Sequence, residues 1–135
     1  MSPSSQEHSD QTVIAWGRDV LEAESQSLSA TSRSLNEAFA KAVQAIIRSE
    51  GKVVVTGLGK SGHIGRKVAA TLASTGTAAF FLHPSEALHG DLGMIQNQDV
   101  VLALAFGGET RETIEVLRTV LRALGIEKNE DIMAA

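Results

Sequence analysis

Residues 53–65 read Val53-Val54-Val55-Thr56-Gly57-Leu58-Gly59-Lys60-Ser61-Gly62-His63-Ile64-Gly65. The stretch predicts a short strand, a glycine-rich turn and the start of a helix. A β-branched apolar run bounded by glycine suits a strand covered on both faces. Gly57 and Gly59 let the backbone turn tightly and let a ligand come close, and Ser61 is placed to cap the helix. Helix N-terminal N–H groups beside a lysine make a seat for phosphate. An anionic ligand is expected here.

Two nucleotide motifs compete for the same residues. Gly57-x-Gly59-x-x-Gly62 matches the dinucleotide fingerprint, which requires an acid at the end of the second strand. His83 stands there instead, with Glu86 beyond Pro84. Gly59-Lys60-Ser61 resembles the nucleoside triphosphate loop, but that loop's first glycine would fall on Val54. A phosphate-bearing ligand is the preferred reading, with NAD and a merely tight turn as the alternatives.

Upstream, residues 1–10 are polar and read as a flexible terminus. Asp10 is placed to cap a helix carrying Val13, Ile14, Gly17, Val20, Leu21, Glu24 and Leu28 at helical spacing. Trp16, off that stripe, is read as packing against a neighbouring helix or subunit. Ser34-Leu35-Asn36-Glu37 has the capping-box pattern and opens a second helix with Phe39, Val43, Ile46 and Ile47 on one face, ended by Gly51. This helical pair is a layer or an oligomer arm.

Downstream, Ile64, Val68 and Leu72 mark the buried face of a third helix that stops at Gly76. Residues 78–82 form a second strand, and residues 83–97 a loop with one helical turn from Pro84. Residues 100–106 form a third strand, and a fourth helix carries Ile114, Leu117, Leu121 and Leu124 inward to Gly125. Strands this apolar want helices on both sides of a parallel sheet, so the fold class is α/β. After Ile126 the polar tail 127–135 is no buried strand. The chain is therefore expected to stop short of the full sheet, with an apolar edge inviting another chain.

The 135 residues suffice for one domain, and 43% hydrophobic content argues against bulk disorder. A net charge of −4 with scattered basic residues gives no case for nucleic-acid binding. There is no cysteine, which removes disulfides and thiolate metal sites. With no apolar N-terminal core and no run of membrane-spanning length, a cytoplasmic protein is expected.

Among the charges, Lys60 is either a solvated loop lysine or a point charge for phosphate or a developing enediolate. Arg66 and Lys67 are read as a solvated helix face, and His63 as a packing or capping residue. His83 and His89, with Glu86 and Asp91, suggest either a metal cluster or a polar loop at a strand end. Glu109 and Glu112 fall in a helix's first turn, where the dipole favours carboxylates whether or not they catalyse.

GLGKSGHIGRK (57–67), ASTGT (73–77) and HPSEALHGDLGM (83–94) closely resemble the sugar isomerase (SIS) domain of arabinose 5-phosphate isomerases. The similarity covers residues 12–126, so 11–126 is identified as a partial SIS domain including the N-terminal helices. The resemblance implies a flavodoxin-like parallel sheet in a three-layer αβα arrangement, a homotetramer and, in many members, two CBS modules. It implies interconversion of D-ribulose 5-phosphate and D-arabinose 5-phosphate, the first step toward the Kdo sugar of lipopolysaccharide, without an organic cofactor. Carried over, Lys60 and Glu112 are catalytic; Gly76, Thr77 and His89 contact substrate; Ser61 belongs to the same glycine-rich seat. Gly107, Gly108, Glu109 and Thr110 match the phosphate loop, and His83 a position associated with zinc. The exchange needs a base, a cation beside the oxygens and donors on the phosphate, which these residue types supply.

Where the family has Ser-x-Ser-Gly-Glu, this chain has Ala105-Phe106-Gly107-Gly108-Glu109, without the two hydroxyls. The family's remaining catalytic glutamate and histidine fall beyond residue 135. The expected function is a sugar-phosphate isomerase domain impaired on its own; the alternative is a non-catalytic sugar-phosphate-binding module or vestigial fragment.

Overall fold

In a computed structural model, residues 8–105 are described, together with the helical residues Ile114, Glu115, Arg118, Thr119 and Arg122. The chain divides into two compact units, Met1–Glu37 and Ala38–Ala135. The first holds α1, Asp10–Ser34. Its cap is Ser9, not Asp10: the Ser9 hydroxyl accepts the Thr12 N–H at 3.3 Å. Asp10 becomes the first helical residue, where the dipole favours its charge. Val13, Ile14, Val20, Leu21 and Leu28 along α1 are exposed. Trp16 meets the His8 ring edge-on, with centroids 4.6 Å apart.

The expected capping box does not form. Ser34 ends α1 and donates its hydroxyl to the Thr31 carbonyl at 2.8 Å. α2 runs Glu37–Arg48, so Glu37 opens the helix instead of reaching back over its third position. All but its first residue belongs to the second unit, which parts the helical pair between the two units. α2 also ends three residues before Gly51.

The second unit is built on β1, Val53–Gly57, whose five residues are all buried. α3 follows as Gly59–Ser74, then β2, Ala79–Phe81. α4, Pro84–Leu88, and a 3-10 turn, Asp91–Met94, lead to β3, Val100–Leu104. The sheet is parallel in the order β2-β1-β3. The chain thus steps one way from β1 to β2, then crosses back over β1 to β3. Such a reversal opens a crevice at the strands' carboxyl ends, where open α/β sheets hold ligands.

Alternation along β1 sorts its side chains between two layers. Val53 and Val55 pack with Ala69, Val68 and Leu72 of α3, and Ile46 of α2 reaches the same layer. Val54 packs on the other face with Leu82, Ala87, Ile95 and Leu92, around α4 and the 3-10 turn. Burying each valine contributes about 1.5–3 kcal/mol, so this short strand is a large part of the core. The result is the three-layer α/β arrangement expected.

α3 packs through the expected Val68 and Leu72, but its most buried residues are unexpected ones. Gly62, Gly65 and Ala69 are its buried residues, while Ile64, expected inside, is 58% exposed. A Cβ on Gly62 would lie 2.7 Å from the Gly57 carbonyl oxygen, and one on Gly65 3.0 Å from the Phe81 ring. The helix lies too close to the sheet for larger residues there.

At the amino ends of β1 and β3 the Asp99 carboxylate acts as a clamp. It accepts the N–H of Lys52 at 2.8 Å and that of Gln96 at 2.9 Å. The Lys52 ammonium lies 3.4 Å away, and the Asp99 side chain has no exposed surface. Beside it, the Val100 N–H donates to the Lys52 carbonyl at 2.9 Å, starting the register that pairs Val53 with Val100. Burial pushes the Asp99 carboxyl up, but the two N–H donors and the Lys52 charge outweigh it and hold it below its ordinary value.

A carboxyl held low in the folded state stabilises above its unfolded pKa of about 3.9, and the gain is lost as pH falls through the folded value. The parent should therefore lose stability on acidification below about pH 4. Asp99→Asn should be less stable near neutrality by roughly 1–3 kcal/mol and show a flatter acid limb. Urea titrations across pH check both; an unchanged acid limb in the variant would remove the clamp from the account.

Candidate functional site

The carboxyl ends of the strands collect the site. Gly57 closes β1 opposite Leu104 of β3, and the Leu82 N–H donates to the Val55 carbonyl at 2.9 Å, so His83 follows on the β2 side. The turn after β1 is made by Gly59, at φ 54° with open space where a Cβ would be. Gly57 has no such angle; it lies in the strand. The helix therefore starts at Gly59, three residues earlier than a Ser61 cap requires.

Leu58 occupies the cap position and offers no side-chain acceptor. The first N–H groups of α3 are thus left to an external acceptor, as helix starts leave them. Lys60 is exposed and Ser61 half-buried in that first turn. Uncapped amides, a helix dipole and an exposed lysine form an arrangement suited to an anion. Among the described residues Thr56, 2% exposed at this end of β1, has a hydroxyl without a hydrogen-bond partner. Sequence reading passed over it because a threonine in an apolar strand reads as β-branched filling.

His83 and His89 bracket α4. The His83 Nδ1 accepts the Ser85 N–H at 3.2 Å as the helix cap, and the His89 N–H returns to the Ser85 carbonyl at 3.1 Å. The half-buried His83 ring meets Phe81 edge-on at 6.5 Å, and the Arg66 guanidinium sits 4.3 Å from the Phe81 centroid. Arg66, expected to be merely solvated, is therefore stacked on the sheet's edge. His63 is exposed and packs into no core layer.

The zinc expectation fits these residues poorly. Among the described residues no three of His, Asp or Glu stand close enough together to hold a metal ion. The Nδ1 of His83 is engaged by an N–H donor.

Gly76 and Thr77 are not brought to this edge. They follow the carboxyl end of α3, Gly76 at φ 97° and the Thr77 N–H donating to the Leu72 carbonyl at 2.9 Å. The sixteen residues of α3 separate them from Lys60 by about 24 Å. Gly107, Gly108, Glu109, Thr110 and Glu112 lie outside the described residues.

Comparison with known proteins places these features in a lineage. The SIS domain family matches residues 46–128. Arabinose 5-phosphate isomerase KdsD of Yersinia pestis is 54% identical over 106 residues, 78% of this chain and 32% of the relative. Arabinose 5-phosphate isomerase GutQ of Escherichia coli K12 is 56% identical over 102 residues, 76% of this chain and 32% of the relative. The chain thus spans about a third of the length of these relatives. Among solved structures, E. coli CFT073 c3406, in complex with arabinose 5-phosphate, superposes with a TM-score of 0.81 at 39% identity, covering 87% of this chain and 62% of that one.

The seat's geometry depends on its glycines. Gly62→Ala should destabilise by roughly 1–3 kcal/mol through overpacking against Gly57, and Gly59→Ala by about 1–2 kcal/mol through the left-handed backbone alone. Chemical denaturation of both variants checks this; a Gly62→Ala protein as stable as its parent would mean that α3 does not lie so close to β1.

Proposed function

The chain belongs to the SIS domain family, and from that premise we propose that it is a sugar-phosphate isomerase domain acting between D-arabinose 5-phosphate and D-ribulose 5-phosphate. The observation that carries the reading is the uncapped start of α3, with Lys60 exposed on its first turn at the carboxyl edge of the sheet. Relatives more than half identical over three quarters of the chain carry the substrate class. The product would feed synthesis of the Kdo sugar, in the cytoplasm.

Aldose–ketose exchange moves a proton between adjacent carbons through an enediolate. Glu112 takes the part of the base, shuttling that proton. Lys60 places its ammonium beside the oxygens, where negative charge develops, so that it stabilises the transition state more than the ground state. Ser61 and His89 hydrogen-bond the sugar, and Gly107, Gly108, Glu109 and Thr110, at the family's phosphate-loop position, are assigned to the phosphate. No organic cofactor takes part.

Gly76 and Thr77 enter this scheme only from another copy of the chain, because α3 holds them too far from their own Lys60. A homo-oligomer, a tetramer as in the family, is part of the proposal for that reason. Ala105 and Gly107, standing where the family has serines, favour a second reading: a module that binds sugar phosphate without turning it over.

A coupled assay for ribulose 5-phosphate decides between them. Turnover that falls about 100-fold or more in Lys60→Ala matches loss of an electrostatic catalyst. Stabilisation by arabinose 5-phosphate without turnover, about 2.7 kcal/mol at a hundred times Kd, selects the binding module. Neither turnover nor stabilisation would sink both.

A further inference from the structure

We propose that His83 is a positioning residue and not a zinc ligand: its imidazole is engaged in capping the turn that ends on His89, and the cap fixes the ring as the Nε2–H tautomer.

α4 has five residues, too few to hold itself by its own hydrogen bonds. It is held from outside. Pro84 and Ala87 are buried, and Pro84 at the first helical position has no N–H to satisfy. The next N–H, that of Ser85, is satisfied by the His83 Nδ1 at 3.2 Å, while the His83 carbonyl accepts the Ala87 N–H at 3.0 Å. The Nδ1 and the carbonyl oxygen of His83 are thus tied into one turn, at whose far end His89 stands exposed.

The cap decides the ring's chemistry. A nitrogen that accepts an N–H carries no proton, so in the neutral ring the proton is on Nε2. A zinc-bound histidine has the reverse arrangement: one nitrogen on the metal, the other donating its N–H to a carboxylate, carbonyl or water. Zinc on Nε2 requires Nδ1 to be protonated, facing the Ser85 N–H; zinc on Nδ1 displaces that N–H. Either way the cap must open. Zinc also wants three or four protein ligands, and no such cluster is present among the described residues. The neighbouring Phe81 ring brings the Arg66 guanidinium to these surroundings, a cation and not a carboxylate.

His89's contact with sugar rests on the proposed function; the tautomer and the zinc behaviour do not. Long-range ¹⁵N–¹H correlation spectra of the full chain, at a pH where the ring is neutral, should show His83 with protonated Nε2 and bare Nδ1. One equivalent of zinc should leave those signals in place. His83→Asn identifies the His83 signals and keeps a capping oxygen, so its zinc affinity, from competition with a chromophoric chelator, should stay within about twofold of the parent. His83→Ala should lower Tm by several degrees, with most of that loss absent in His83→Asn. An Nδ1–H tautomer, a zinc-induced shift of the His83 nitrogens, or a tenfold loss of zinc affinity in His83→Asn would overturn the proposal. The spectra of the parent decide the matter even where a variant fails to fold. Failure of arabinose 5-phosphate to bind would count against the isomerase reading and leave these results standing.

Discussion

The second unit depends on β1 being enclosed on every side: a parallel neighbour at each edge and an apolar layer on each face. A strand so placed has no free backbone donors and no polar face. Its residues must be small, branched and apolar, and its ends must be pinned by something else. Asp99 pins the amino end by accepting N–H groups from both flanking segments. The carboxyl end is pinned by the backbone contact of Gly62 with Gly57, which presses the first turn of α3 against the sheet. The candidate seat at that end follows from the packing, because the helix start lies against the strand and its cap residue, Leu58, offers its amides no side-chain acceptor.

Much of this was legible in the sequence because the strands carry their own signal. Three valines in a row describe a buried strand, and Val100 to Leu104 a half-buried one, without reference to anything distant. The turn at Gly59 and the proline at the start of α4 are equally local. The buried face of α3 was legible in part: Val68 and Leu72 pack on the core as expected, and Ile64 does not. Large apolar residues at helical spacing include all three, but a helix this close to a sheet buries its smallest residues deepest. The exposed Ile64 and the buried Gly62, Gly65 and Ala69 are two consequences of one short distance.

Caps were the other weak point. Ser34 and Ser61 both match capping patterns, and neither caps. A cap is won by the residue standing where the backbone enters the helix, and at α3 the left-handed Gly59 sets that entry earlier. At α1, Ser9 is already in position one residue before Asp10. Histidine is not among the usual caps, so the use of Nδ1 at α4 had no signature. The Asp99 clamp was invisible for a different reason: its partner Lys52 is 47 residues away.

The candidate site raises a question of distance, which resemblance alone does not pose. Residues carried over from a family form a set on paper, and the structure sorts that set by place. Lys60, Ser61 and His83 share the carboxyl side of the sheet and His89 follows at the far end of α4, whereas Gly76 and Thr77 sit beyond the other end of α3. No rotamer spans a sixteen-residue helix, and no bending of α3 is available while Gly62, Gly65 and Ala69 hold it to the sheet. A single five-carbon sugar phosphate cannot bridge that length. If both groups touch one ligand, they come from different copies of the chain, and assembly becomes a condition of binding.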